Sequence, residues 1–249
     1  MTAGFPDHFS KGAAGYATYR PSYPDALFRW LADQSPARAL AWDCGTGSGQ
    51  AAAGLARYYT RVIATDASAE QLRQAAPVAN VEYRVASAER SDLDDHCADV
   101  ITAATAVHWF DRPRFYAEVK RVAKPGGILA VWIYYLMSID PAIDAVIYDF
   151  YRGPVGPYWP GERALVDERY RTIDFPFEEL SPPAFAMSAD WTLPQVLGYL
   201  RTWSAVGRYV EATGSDPIAE LAPTLATLWS DPEKSRPVWW PLHARVGRV

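Results

Sequence analysis

The stretch Ala39-Leu40-Ala41-Trp42-Asp43-Cys44-Gly45-Thr46-Gly47-Ser48-Gly49-Gln50 limits what this chain can fold into more than any other. An apolar run ends in an acid, three glycines alternate, and an alanine-rich run begins. That order describes a buried strand, a tight turn where backbone comes close to a ligand, and a helix. The helix directs its free N–H groups and positive dipole end at whatever lies over the turn. In open α/β sheets, ligands lie beyond the carboxyl ends of such strands.

The alternation continues downstream. A helix is expected from Gly49 to about Tyr58, then an apolar strand Val62-Ile63-Ala64-Thr65-Asp66 that again ends in an acid. Ser68 is an N-cap with Gln71 as its capping-box partner, opening a helix to about Ala76. Val81–Val85 alternates like a strand, Ala98–Ala104 is an apolar strand, and Pro113–Ala123 a helix. Lys124-Pro125-Gly126-Gly127 reads as a turn before a long apolar strand, Ile128–Leu136. Strands separated by helices of this size predict a doubly wound α/β sheet, mostly parallel, with right-handed crossovers.

Before that core, Phe9, Tyr16 and Tyr19 recur at helical spacing, and Pro24-Asp25 opens a helix through about Leu31. After about Ser138 the regularity fails. Asp140–Tyr151, Leu193–Ser204 and Pro217–Trp229 read as helices, and Phe185–Met187 and Pro237–Val249 as strands. Residues 152–183, rich in Pro and Gly and carrying Trp159 and Phe175, suggest an inserted cap. The expected organisation is one domain over 1–249: an N-terminal helical lid (1–35), a cofactor-binding core (36–137), a cap and substrate region (138–215), and a final helix and strand (216–249).

Composition narrows the partners. The net charge of −5 gives no basic footprint for a nucleic-acid backbone. Cys44 and Cys97 form no CxxC pair, and no basic-then-apolar leader or spanning apolar run is present, so a cytoplasmic protein without membrane contact is expected. His8, His96 and His243 are scattered without ligand spacing, so no metal is expected. Ten tryptophans and 15 tyrosines suit both a large core and an apolar ligand pocket.

The glycine spacing decides between nucleotides. A dinucleotide fingerprint needs its third glycine at position 50, which is Gln50, and no basic residue stands in the loop as a phosphate loop requires. Asp43 repels a pyrophosphate and suits a cationic ligand. Here the chain resembles the class I S-adenosylmethionine-dependent methyltransferases. The resemblance is carried by the acid and G-x-G-x-G, by Asp66 ending the next strand, by Ala88-Glu89, by His108-Trp109-Phe110-Asp111 after the fourth strand, and by the run from Glu118 to Gly127. The opening FSKGAAGYATYRPSYP and Trp203-Ser204 look like the branch containing trans-aconitate-type methyltransferases of small carboxylates. The match covers about residues 8–136 well and 139–249 loosely. It implies a Rossmann-like seven-stranded sheet with antiparallel final strands and a helical, aromatic cap.

The resemblance also implies a cofactor site. Gly45, Thr46, Gly47 and Gly49 would pass under the methionine and ribose, Asp66 and Ala67 would meet the ribose hydroxyls, and Ala88 and Glu89 the adenine. Thr105 would close the site. Each position has a plainer reading. Asp43 either meets the cationic amino end, through water, or caps the loop. Asp66 either holds the ribose or makes an Asx turn. Leu72 packs on adenine or in the core, and Glu89 is a contact or a solvated acid. Arg20 clamps a carboxylate or lies on the surface. Tyr16 and Tyr19 close over the site or pack the first helix. Trp109, Trp132, Tyr134 and Trp203 border the acceptor or belong to the core. His108 is a general base if the acceptor is protic and pocket wall otherwise, since the sulfonium donor is already activated. The expected activity is methyl transfer from S-adenosylmethionine to a carboxyl or hydroxyl oxygen of a small organic acid, by a monomer or homodimer. An NAD(P)-dependent oxidoreductase, a non-catalytic S-adenosylmethionine-binding protein and a macromolecule methyltransferase are the rivals.

Overall fold

The computed structural model describes residues 21–249. Nothing in it bears on Tyr16, Tyr19, Arg20 or the N-terminal helix expected around them, which lie outside the described residues. In chain order it contains α1 (Asp25–Gln34), β1 (Leu40–Cys44), α2 (Gln50–Leu55), β2 (Arg61–Asp66), α3 (Ala69–Arg73), β3 (Val81–Val85), β4 (Ala98–Ala104), α4 (Arg112–Val122) and β5 (Ala123–Tyr134). There follow α5 (Pro141–Arg152), α6 (Arg163–Asp167), β6 (Glu178–Leu180), β7 (Phe185–Trp191), α7 (Leu193–Arg201), α8 (Ser204–Thr213), α9 (Pro217–Trp229) and β8 (Arg236–Arg248).

The strands make one sheet in the order β3-β2-β1-β4-β5-β8-β6, with β7 also paired to β8. β1 to β5 are parallel, β8 runs antiparallel to β5, and β6 and β7 run antiparallel to β8. β6 pairs with one end of β8 and β7 with the other, so eight strands fill seven positions. Ser181-Pro182-Pro183-Ala184 separates the two: prolines carry no N–H for a ladder and are tolerated here because the position is an edge. The doubly wound sheet is the one the alternation of strands and helices predicts, and its seven positions with antiparallel final strands are what the resemblance implies.

Two-residue alternation sends the strands' side chains into two cores. Ala41, Val62, Val100, Ala130 and Trp132 join α1, α2, α5, α7, α8 and α9 on one face. Trp42, Ile63, Ile101, Val131 and Ile133 join α4, α6 and residues 170–175 on the other. On the first face α2 comes so close to α1 that a Cβ on Gly54 would stand 2.1 Å from the Phe28 ring.

Two expectations need correcting. Lys124–Gly127 is not a free turn but a bulge inside β5, between the pairs Ala98–Ala123 and Val100–Ile128. Its geometry is set non-locally: Lys124 Nζ donates to buried Asp99 at 2.6 Å, and Gly126, at φ 75°, donates its N–H to the Val249 carbonyl. The helix expected over Leu193–Ser204 ends at Arg201, and a further helix, α8, follows. Among the described residues no helix is long and apolar enough to cross a membrane.

Candidate cofactor site

The glycine turn leaves β1 at the carboxyl edge of the sheet. Gly45 and Gly49 are at φ 65° and 83°, where a side chain is strained. Space excludes one as well: a Cβ on Gly45 would lie 2.7 Å from the Ala106 Cβ, and one on Gly49 would lie 2.5 Å from the Tyr83 hydroxyl. The turn is tied to β2 by Thr46 N–H donating to the Thr65 carbonyl at 2.9 Å and Gly47 N–H donating to Asp66 Oδ2 at 2.8 Å. Asp66 Oδ1 accepts the Ser68 N–H at 2.8 Å, and Ser68 Oγ accepts the Gln71 N–H, capping α3. Asp66 therefore joins the glycine turn to the start of α3. Burial raises its pKa, and the two backbone N–H groups oppose that.

A cavity of about 360 Å³ opens above this turn. Its floor includes Gly45, Thr46 and Gly47; one flank is Asp66, Ala67, Ser68 and Gln71; another is Ala88 and Glu89; the far side is Tyr23, Thr105, Trp109, Phe110 and Tyr134. Thr105 sits at φ 56°, fixed by its N–H to the Trp132 carbonyl at 2.8 Å, and its hydroxyl meets Tyr23 Oη at 3.3 Å. Glu89 accepts the Asp111 N–H at 3.0 Å, linking this rim to the N-cap of α4.

Six sequence candidates sit elsewhere. Asp43 is fully buried beneath the turn, where its oxygens accept the Thr46 hydroxyl at 2.5 Å and the Thr102 hydroxyl at 2.6 Å. Burial holds its pKa up, at about 6, against those bonds. It braces the turn from below and does not line the cavity. Gly49, the last glycine of the turn, also lies outside the lining, its α-carbon against Tyr83. Leu72 is not in the lining either; Gln71, one residue earlier, faces the cavity because the short α3 turns it that way. Trp132 packs in the core against Tyr23 and Phe28, its indole N–H without a partner among the described residues. Trp203 packs among Phe150, Tyr151 and Trp159.

His108 is the sixth. It lies on the single turn Val107–Trp109, buried, with Nδ1 at 2.6 Å from the Tyr170 hydroxyl. Burial, with the positive charges of Arg163 and Arg112, pushes its pKa down to about 3. A base that weak is a poor proton acceptor at neutral pH, and the imidazole is not part of the cavity lining, which its neighbour Trp109 joins instead. Tyr170 is held there by consecutive left-handed residues, Arg169 at φ 57° and Tyr170 at φ 58°. Among the lining residues missed in the sequence are Tyr23, Ser68, Gln71 and Phe110, the last seen only as part of the run after the fourth strand. Ser68 and Gln71 were visible only as a helix cap, and Tyr23 only as part of a chain-breaking Tyr-Pro pair.

The donor set fits an adenosyl sulfonium. Acids at Asp66 and Glu89 suit hydroxyl and amino donors, the turn lacks a basic group for a pyrophosphate, and the size matches a nucleoside-bearing ligand. Comparisons with known proteins agree. A methyltransferase-domain family profile matches residues 42–131. The solved structure of a provisionally named type II methyltransferase from Anaeromyxobacter dehalogenans is similar at TM-score 0.88 and 48% identity, over 92% of this chain and 98% of that one. A provisionally named methyltransferase of Dictyostelium discoideum is 35% identical over 225 residues, 89% of this chain and 86% of that protein. An uncharacterised methyltransferase of Mycobacterium tuberculosis is 36% identical over 128 residues, 50% of this chain and 51% of that protein. The oxidoreductase alternative falls here: with an acid-flanked glycine turn, a carboxylate at the end of β2 and likeness over about nine tenths of the chain to the Anaeromyxobacter and Dictyostelium proteins, the chain belongs to the class I methyltransferases, enzymes whose cofactor is S-adenosylmethionine.

Proposed function

We propose that the enzyme methylates a carboxylate oxygen of a small organic acid. The observation that carries this reading is the character of His108, the residue best placed in the sequence to serve as a base. It is buried, bonded to Tyr170 and held near pKa 3. A hydroxyl or amine acceptor must lose a proton during transfer, whereas a carboxylate is already the nucleophile at neutral pH. Among the described residues the cavity lining holds no imidazole, which suits the second kind of acceptor.

S-adenosylmethionine, when bound, supplies a methyl group on a positively charged sulfur. A carboxylate oxygen would take that methyl in exchange for the S–CH3 bond, whose electron pair would stay with sulfur, so the chain would need no group to move a proton. What remains for the chain is alignment and exclusion of water. Asp66 and Ala67 would hold the ribose, Ala88 and Glu89 the adenine side, and Gly45 to Gly47 the turn beneath the methionine. Trp109, Phe110, Tyr134 and Tyr23 form the side of the cavity away from Asp66 and would shield the reacting groups.

The acidic net charge and the aromatic side of the cavity favour a small acceptor over a nucleic acid. The test is incubation with methyl-labelled S-adenosylmethionine and a metabolite extract, with the labelled product identified by mass spectrometry. A methyl ester of a small acid supports the reading. A labelled amine, ether or macromolecule overturns it.

A further inference from the structure

The break between β6 and β7 leaves a notch in the edge of the sheet. β6 pairs with residues 246–248 and β7 with residues 236–242, so His243, Ala244 and Arg245 have a strand on the β5 side only. Pro182, Pro183 and Ala184 cross the gap, and a groove of about 630 Å³ opens over it. His243 and Arg245 lie opposite Ile133 and Val131, so they share the sheet face that carries α4 and α6.

The chain just after α6 brings two more cations to the groove. Arg169 and Tyr170 stand at φ 57° and 58°, consecutive left-handed residues. Such backbone costs energy in residues other than glycine and persists where the surroundings over-determine it. Here it sends Tyr170 inward, fully buried, to the His108 imidazole, while Arg169 and Arg171 stay exposed and line the groove.

Charge in the groove is not balanced. Arg245 forks onto both oxygens of Glu179, the acid of the lining, and its remaining nitrogen donates to the Ile173 carbonyl at 2.6 Å. Glu168 lies outside the lining, its carboxylate accepting the Thr172 hydroxyl. Arg171 Nε donates to the Glu168 carbonyl at 3.1 Å, and Arg169 lies 5.8 Å from the Tyr135 ring centre. Among the described residues, the Arg169 guanidinium, the terminal nitrogens of Arg171 and the half-buried His243 ring have no hydrogen bond or ion pair. Burial, then the positive charges of Arg169 and Arg171, lower the His243 pKa, so these three groups face one space. Elsewhere Arg29, Arg38, Arg57, Arg61 and Arg73 each meet an acid. In a chain of net charge −5, two arginines without one in a single groove mark a place for an anion from outside.

We propose that this notch binds a phosphate group, held by Arg169, Arg171 and His243. Donors from two separate elements suit a tetrahedral dianion, whereas a planar carboxylate fills one guanidinium fork and leaves the other empty. A phosphate monoester carries about −1.5 to −2 near pH 7, which matches the two uncompensated charges. The groove shares no lining residue with the cofactor cavity, so this is a second ligand site, separate from methyl transfer.

The experiment is calorimetry on the full chain saturated with S-adenosylhomocysteine, in phosphate-free buffer, with inorganic phosphate, glycerol phosphate and acetate as probes. Wild type should bind one phosphate at least roughly tenfold more tightly than acetate. Arg169→Gln and Arg171→Gln should each weaken phosphate by roughly tenfold while binding S-adenosylhomocysteine as wild type does. A bound dianion offsets the two arginines, so phosphate should raise the His243 pKa in an NMR titration, with His243→Gln assigning the signal. Should the left-handed position make Arg169→Gln unfold, Arg171→Gln decides. Glycerol phosphate bound as tightly as phosphate supports a phosphorylated metabolite as the source; phosphate alone supports the free ion. No binding by wild type, acetate bound equally well, full affinity in Arg171→Gln or a stationary His243 pKa overturns the proposal.

Discussion

Replacing Asp66 separates its two tasks. Its carboxylate accepts the Gly47 and Ser68 N–H groups, one on each oxygen, both at 2.8 Å. Each oxygen has a second acceptor position, so two remain for the ribose hydroxyls. Asp66→Ala removes all four. Hydrogen bonds to a charged group contribute about 1.5–3 kcal/mol each, so the two ribose bonds amount to about 3–6 kcal/mol before water compensates. The cavity is open to water, which can rebind the freed hydroxyls. A net loss near 3 kcal/mol corresponds to S-adenosylhomocysteine binding weakened by roughly a hundredfold. Asp66→Asn keeps the shape and one acceptor oxygen, but its amide donor faces an N–H group. It should fall between wild type and Ala. Isothermal calorimetry reads the affinities, and thermal melts without ligand read what the turn itself has lost. Both variants binding within about threefold of wild type would remove Asp66 from the cofactor site.

Four further perturbations test the frame. Gly54→Ala drives a Cβ to 2.1 Å from the Phe28 ring, so α1 and α2 must separate, at a cost of about 1–3 kcal/mol read as a lower urea midpoint; an unchanged midpoint would contradict that packing. Gly45→Ala combines a left-handed backbone with contact to Ala106 at 2.7 Å, and should weaken cofactor binding more than stability, as measured by calorimetry against thermal melts; normal affinity would refute it. Folded His108 titrates near 3 against about 6.5 in an unfolded chain. Between those values the unfolded chain holds more protons, so stability falls as pH falls, by up to about 1.4 kcal/mol per pH unit. His108→Asn removes that contribution, and the stability gap to wild type should narrow from pH 6.5 to 4 in urea unfolding; a constant gap contradicts a buried neutral imidazole. Asp43, held at about 6, contributes in the opposite direction, losing stability as pH rises from about 3.8 to 6, so Asp43→Asn should steepen the acid loss of the wild-type imidazole.

The parallel half of the sheet was readable because each strand is a short buried run bounded by a turn, and Val81–Val85 and Ala98–Ala104 emerge with the bounds their patterns predict. The bulge at Lys124–Gly127 was not, because Asp99 and Val249, both outside the run, shape it. α8 went unseen because only Ala205 and Val206 of its ten residues are buried, too few to mark an apolar stripe. Pro182-Pro183, read as the end of an inserted cap, is the break between the two strands at the sheet edge.

At the site, local motifs located what the backbone itself builds: the glycine turn, Asp66 at the end of its strand, and Ala88 and Glu89 after the third. Side-chain direction was beyond them. Asp43 and Gly45 are two residues apart, yet the acid lies beneath the turn and the glycine forms the cavity floor. His108 is adjacent to Trp109, but its partner Tyr170 is 62 residues away. Away from the cavity, the cluster of Tyr151, Trp159, Arg163 and Trp203 combines side chains from α5, α6, the segment between them and the turn before α8, which no single motif records.

The central claim is transfer to an oxygen that is already anionic, and the chemical lability of the product tests it most directly. Purified enzyme is incubated with methyl-labelled S-adenosylmethionine and succinate or citrate, and the product is treated with mild alkali. A methyl ester hydrolyses, so the account predicts label released as volatile methanol. Label that survives alkali on nitrogen, carbon or an ether oxygen would contradict it.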